Sequence, residues 1–144
     1  MLRLLYAALL LLPLAVTGAQ GAEPHKLALQ ISDNDPVKMN AVLNVAANVS
    51  KYYSDKGEEV EIQIVAFNAG ITMLRQDKSP VLTRLKSFKQ GMPNVSFIAC
   101  QNTLDTIARN EGKEPAIVEN AERVPAGVVT LIELGEKGWT IVRP

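Results

Sequence analysis

One cysteine, one histidine and one tryptophan stand among 144 residues, and each scarcity excludes something. One Cys and one His cannot furnish a four-ligand zinc site, and a single Cys cannot close an internal disulfide. A Cys–His or Ser–His–Asp centre would have to recruit His25, the only histidine. An excess of charge is also missing: 15 Lys+Arg balance 15 Asp+Glu, and aromatic residues make up only 5%. A neutral, aromatic-poor chain argues against a general nucleic-acid partner. There is no glycine-rich phosphate loop, because Asn68-Ala69-Gly70 has neither the glycine spacing nor the lysine. Nothing in the residues calls for a metal or a cofactor. Internal repeats, linkers and low-complexity tracts are lacking as well. The length, with 47% hydrophobic and 21% charged residues, fits one ordinary domain.

The one long apolar run is at the start. Met1-Leu2-Arg3 precedes a stretch from Leu4 to Val16 of mostly Leu and Ala, and small residues from Thr17 to Ala22 follow. A basic start, a short apolar core and small residues are the order of a secretory signal peptide. Pro13 interrupts the run, which is short of the ~20 apolar residues a spanning helix needs. The expectation is a signal peptide over residues 1–22 and a single exported domain over 23–144, with no membrane span after cleavage. Export would be to the periplasm if the source is bacterial. Exported proteins usually pair their cysteines, so a lone Cys100 is either packed and inert or free and used.

The remaining chain alternates strand and helix patterns. Lys26 to Ser32 alternates as a first strand. Asp35 and Pro36 form a helix start, and Met39, Val42, Leu43, Ala46, Val49 and Tyr53 share one helical face up to Lys56-Gly57. Val60 to Phe67 turns from alternating to wholly apolar, as in a strand covered on both sides, and Asn68-Ala69-Gly70 reads as a turn. Ser79-Pro80 opens a helix carrying Val81, Leu82, Leu85 and Phe88 to Gly91. Val95 to Ala99 is a third strand with Cys100 at its C-terminal end. A helix with Leu104, Ile107 and Ala108 follows to Gly112. Ala121 to Val124 and Trp139 to Val142 are short strands, and Val128 to Leu134 fits helix or strand. Repeated strand–helix–strand units predict a three-layer α/β/α fold on a mostly parallel sheet of about five strands.

Ligands of open α/β sheets bind beyond the carboxyl ends of the strands. Ser32 to Asp35, Asn68-Ala69-Gly70 and Cys100-Gln101-Asn102 reach that rim. Cys100 is the only strong nucleophile there. Its place before a helix N-terminus favours the thiolate, and Asn102 and Thr103 offer donors beside the sulfur. The same residue reads equally as a small buried hydrophobe. Asn68 fits a pocket wall or a tolerant turn position. Asp33 and Asp35 fit turn and cap roles better than acid–base work. Asn48-Val49-Ser50 and Asn94-Val95-Ser96 match glycosylation acceptors only at the level of a common tripeptide. Trp139 reads as packing.

The stretch Val95-Ser96-Phe97-Ile98-Ala99-Cys100-Gln101-Asn102-Thr103-Leu104 resembles the DsrE/DsrF-like family. So does the closing segment, from Val124-Pro125-Ala126-Gly127-Val128-Val129 through Gly138-Trp139 to Ile141-Val142-Arg143-Pro144. Val65 to Gly70 with Met73-Leu74 is similar too, with Asn68-Ala69-Gly70 where a Gly-x-Gly-like turn is common. The resemblance implies an α/β/α fold, a helix near Ala126 to Lys137, and homo-oligomers, often trimers or hexamers. It also implies a sulfur-relay role, in which Cys100 holds sulfane sulfur as a persulfide and exchanges it with a donor or acceptor protein. By that match Cys100 is the sulfur carrier and Asn102 the catalytic residue that orients it, with Asn68, Gly70, Gln101 and Thr103 as the pocket residues. The family's well-understood members are cytoplasmic, whereas this chain carries an export-like start. A non-catalytic accessory module with a packed Cys100, and a hydrolase or transferase pairing Cys100 with His25, are the other readings.

Overall fold

The computed structural model describes residues 22–144; the expected signal segment over residues 1–22 lies outside them save for Ala22. Five strands form one parallel sheet: β1 (His25–Ile31), β2 (Val60–Ala66), β3 (Val95–Cys100), β4 (Ala121–Val124) and β5 (Thr140–Val142), in the order β4-β3-β2-β1-β5. Among the described residues, four α-helices, α1 (Pro36–Asp55), α2 (Leu82–Gly91), α3 (Gln101–Glu111) and α4 (Gly127–Glu136), and a 3₁₀ helix at Asn68–Leu74 connect them. The three-layer α/β/α fold and the helical reading of residues 127–136 are thereby shown.

Local chemistry explains the elements. Asp35 caps α1 by accepting from the Val37 N–H at 2.8 Å, with Pro36 in the first turn. Gly112 stops α3 in the left-handed region at φ 73°. The central strands are apolar on both sides because both are covered: Ile62, Ile64 and Phe97 face one layer, Val65 and Ile98 the other. In register, Leu29 lies beside Ile64 and Ile64 beside Phe97. The expected turn at Asn68-Ala69-Gly70 differs in extent. It winds on as the 3₁₀ helix because Ile71, Met73 and Leu74 are fully buried there.

The two faces are unequal. Steps from β1 to β4 all run one way across the sheet, so right-handed crossovers keep α1, α2 and α3 on one face. The chain then jumps back from β4 to β5 through α4, the one helix among the described residues on the other face, with Leu131 and Leu134 on Ala28, Val65 and Ile98. The outward side of α4 leaves Val128, Val129 and Ile132 exposed, beside Ile141 and Val142 of edge strand β5. Among the described residues no helix is long and apolar enough to cross a membrane.

Candidate functional site

Adjacent strands β3 and β4 send their following helices, α3 and α4, to opposite faces of the sheet. Such a divergence opens a crevice at the carboxyl rim, and Cys100 ends β3 at its bottom. The residue is the N-cap of α3 and is only 6% exposed. A second helix start closes over it, since Gly127 is the first residue of α4. A Cβ on Gly127 would lie 3.3 Å from the Cβ of Cys100, 3.1 Å from that of Phe67 and 3.4 Å from Val65. The absence of a side chain thus lets the α4 terminus approach the cysteine.

Burial alone pushes the Cys100 thiol up. The Thr103 hydroxyl and the backbone N–H groups of Gly127, Thr103 and Asn102 around the sulfur outweigh it and hold the thiol below its ordinary range, although the Cys100 side chain accepts no capping hydrogen bond at the start of α3. Two helix N-termini therefore meet at one sulfur, each presenting unsatisfied N–H groups and the positive end of its dipole. The Asn102 N–H donates to the Pro125 carbonyl at 3.2 Å.

Thr103 has a second partner. The backbone N–H of Asn68 donates to its Oγ at 3.0 Å, so the hydroxyl is occupied as an acceptor and its proton is free for the sulfur. Asn68 makes this contact from the left-handed region, at φ 48°, which Asn tolerates better than most residues. Its expected wall position and its turn position are both real: it also lines the cavity in front of Cys100.

That cavity measures about 940 Å³. It runs as a groove between the 3₁₀ helix and one face of α3, past Thr72, Thr106 and Ile107, and ends at Arg75, Lys78 and Glu111. Arg75 is buried, and its guanidinium forks two carboxylates. Nη1 and Nη2 donate to the Glu111 carboxylate at 2.8 Å each, and Nε and Nη2 to Asp77 at 2.9 and 2.7 Å. Lys78 Nζ adds a 3.0 Å bond to Glu111. The Asp77 and Glu111 carboxylates raise the Arg75 pKa further, and the Arg75 and Lys78 cations hold Glu111 at about 2. The network ties the 3₁₀ helix to α3 and sets the far wall of the groove.

The expected site residues separate into two groups. Cys100, Asn102, Thr103 and Asn68 come together around the sulfur and the groove. Gln101 and Gly70 do not line it. The Gln101 side chain turns away, donating to Asp105 at 2.8 Å and accepting from Arg123 at 3.2 Å. Gly70 is buried beneath the rim, where a Cβ would meet the Ile31 carbonyl oxygen at 2.1 Å; it lets the 3₁₀ helix pack on the end of β1. His25 lies at the other end of the sheet, pairing with Glu58 at 2.8 Å and stacked on Tyr53. Seven parallel residues of β1, about 20 Å, separate its end from the rim that holds Cys100, so a Cys100–His25 centre does not exist. The Asn94 amide is engaged by Ser50 and the Val60 carbonyl. Asp33 pairs with Lys38 and Arg143.

Arg75, Lys78, Glu111 and Gly127 were not legible as site residues. The spacing Thr103, Thr106, Ile107, Glu111 is one helical face and was the available signal. Among the described residues no cluster of three or more His, Cys, Asp or Glu side chains is assembled to hold a metal.

No protein-family model matches the chain, and no curated protein does. Among solved structures, the fold is similar to that of a protein of unknown function from Methanobacterium thermoautotrophicum, with a TM-score of 0.66. The two are 26% identical, over 83% of this chain and 99% of that one.

Proposed function

We propose that the protein is a sulfur carrier of the DsrE/DsrF-like kind, exported from the cell, with Cys100 as its carrying residue. The convergence of the α3 and α4 N-termini on a buried sulfur supports this reading most. A thiolate or perthiolate is anionic, and N–H donors with a hydroxyl proton favour that charge. The Cys100 thiolate attacks the sulfane sulfur of a polysulfide or of a protein persulfide. One S–S bond forms, the donor's S–S bond breaks, and the shortened donor leaves with the electron pair. The terminal sulfur then passes to a partner thiol by the same exchange. A single cysteine suits a carrier, since no second thiol of the chain is available to resolve the persulfide as a disulfide.

The assembly belongs to the same reading. Val128, Val129 and Ile132 of α4 with Ile141 and Val142 of β5 make one exposed apolar stripe, with Val128 on the groove rim. A second copy of the chain is its proposed occupant, in a trimer or hexamer.

The test is intact-mass measurement after incubation with thiosulfate or polysulfide. A gain of one sulfur atom, removed by dithiothreitol and absent from Cys100→Ser, is expected. A thiol that takes no sulfur and resists alkylation until the protein unfolds overturns the carrier reading. The near-complete burial of Cys100 would then belong to an accessory module with a packed cysteine.

A further inference from the structure

The groove is far larger than an inorganic sulfur donor needs. About 940 Å³ corresponds to roughly thirty waters at ~30 Å³ each, and it falls within the ~300–1,000 Å³ range of organic ligand sites. A polysulfide of a few atoms would leave most of it wet. Its length is set by α3, from Cys100 before the first turn to Glu111 in the last. At ~1.5 Å per residue that span is about 16 Å.

The charges are gathered at one end. Among the described residues, Arg75, Lys78 and Glu111 are the only charged ones lining the groove, two cations against one anion. They do not have equal capacity. The Arg75 side chain is 5% exposed and commits four donor contacts to Asp77 and Glu111. Lys78 is 54% exposed and makes one contact, to Glu111. An ammonium has three donors, so Lys78 keeps two for a ligand. Between this cation and the sulfur the walls are uncharged: Thr72, Thr106 and Ile107, then Asn68, Thr103 and Asn102.

We infer that the groove takes an elongated low-molecular-weight thiol or its persulfide, with the sulfur end at Cys100 and a carboxylate end at Lys78. This rests on the carrier reading for its chemistry and names the class of donor or acceptor. A peptidic thiol of three or four residues fits, since an extended chain covers about 3.3–3.6 Å per residue. In the loading direction the Cys100 thiolate takes the outer sulfur of the ligand's persulfide. The ligand's S–S bond breaks, and the ligand leaves as a thiolate with the bonding pair. In unloading, a bound thiolate attacks the outer sulfur of the Cys100 persulfide and restores the Cys100 thiolate. Neither direction needs an oxidant or a metal.

Two measurements test it. The first is the rate of Cys100 sulfur loading by glutathione persulfide and by inorganic polysulfide, in the wild type and in Lys78→Gln. The wild type should prefer the glutathione form at low concentration, and Lys78→Gln should shrink that preference about three- to fivefold, the scale of a half-exposed ion pair. An unchanged preference overturns the assignment. The second is binding of S-methylglutathione, which cannot react, to wild type, Cys100→Ser and Lys78→Gln by titration calorimetry. Binding retained in Cys100→Ser and weakened in Lys78→Gln, more so at low salt, is expected. Absence of binding, or equal binding in Lys78→Gln, refutes the groove. If Cys100 takes no sulfur from either donor while S-methylglutathione binding depends on Lys78, the carrier reading falls and the ligand site stands.

Discussion

Replacing Thr103 by Val removes one hydroxyl and little volume. In the folded protein that hydroxyl accepts from the Asn68 N–H at 3.0 Å and lies beside the Cys100 sulfur, whose pKa it lowers. Two effects follow. The Asn68 N–H loses its acceptor, which costs about 1 kcal/mol of stability. The thiolate loses the hydroxyl beside it, which as a charge-assisted donor is worth ~1.5–3 kcal/mol. At ~1.4 kcal/mol per decade, the titration of the thiol should move up by about one pH unit or more. A more basic thiolate is also more nucleophilic, by roughly threefold for each decade of acidity lost. On the rising limb of the profile the alkylation rate should therefore drop about threefold, and the plateau at high pH should rise by a similar factor. The assay is the pH–rate profile of iodoacetamide modification, followed by intact mass. Thr103→Ser, which keeps the hydroxyl, should stay near wild type. A Thr103→Val profile superimposed on the wild type would refute the claim that Thr103 holds the charge on Cys100.

Three further perturbations report on other parts of the fold. Gly127→Ala places a methyl 3.3 Å from the Cβ of Cys100 and 3.1 Å from that of Phe67. The start of α4 must then back away, and the alkylation profile of Cys100 should move to higher pH with only a modest loss of thermal stability. Glu111 has a folded pKa of about 2, below its unfolded ~4.3, so its contribution to stability is present above about pH 4.3 and is lost as pH falls toward 2. Glu111→Gln should therefore lower the urea midpoint at pH 6, and the gap to wild type should close between pH 5 and pH 2. A gap that widens on acidification would contradict the Arg75–Glu111 pairing. Ile132→Glu puts a charge in the exposed stripe of α4. Sedimentation velocity should find a smaller species than the wild type, and identical sedimentation would remove that stripe as an interface.

Much of this fold is written in local patterns. Asp35 and Pro36 start α1, Gly112 stops α3, and the change from alternating to wholly apolar residues in β2 announces a sheet covered on both sides. The position of Cys100 is equally local, because a strand end and a helix start adjoin in the chain. Residues within a turn or two of one another report such features through sequence spacing alone. The segment Val128 to Leu134 was ambiguous by pattern, because β-branched residues at a helical spacing satisfy both periods. Packing of Leu131 and Leu134 on the bare sheet face decides for helix.

The chemistry of the site belongs to tertiary structure. Gln101 follows Cys100 in the chain, but one residue turns a helix by about 100°, so its side chain reaches Asp105 and Arg123 instead of the groove. Gly127 is 27 positions away from Cys100 and touches it only because β4 lies beside β3 and α4 leaves on the opposite face. Arg75 finds Glu111 across 36 residues, through the docking of the 3₁₀ helix on α3. Sequence by itself determined the alternating elements and the rim on which the cysteine sits. Only the strand order and the handedness of its crossovers decided which N–H groups, hydroxyls and charges surround that cysteine, since contacts between distant segments leave no periodic trace along the chain.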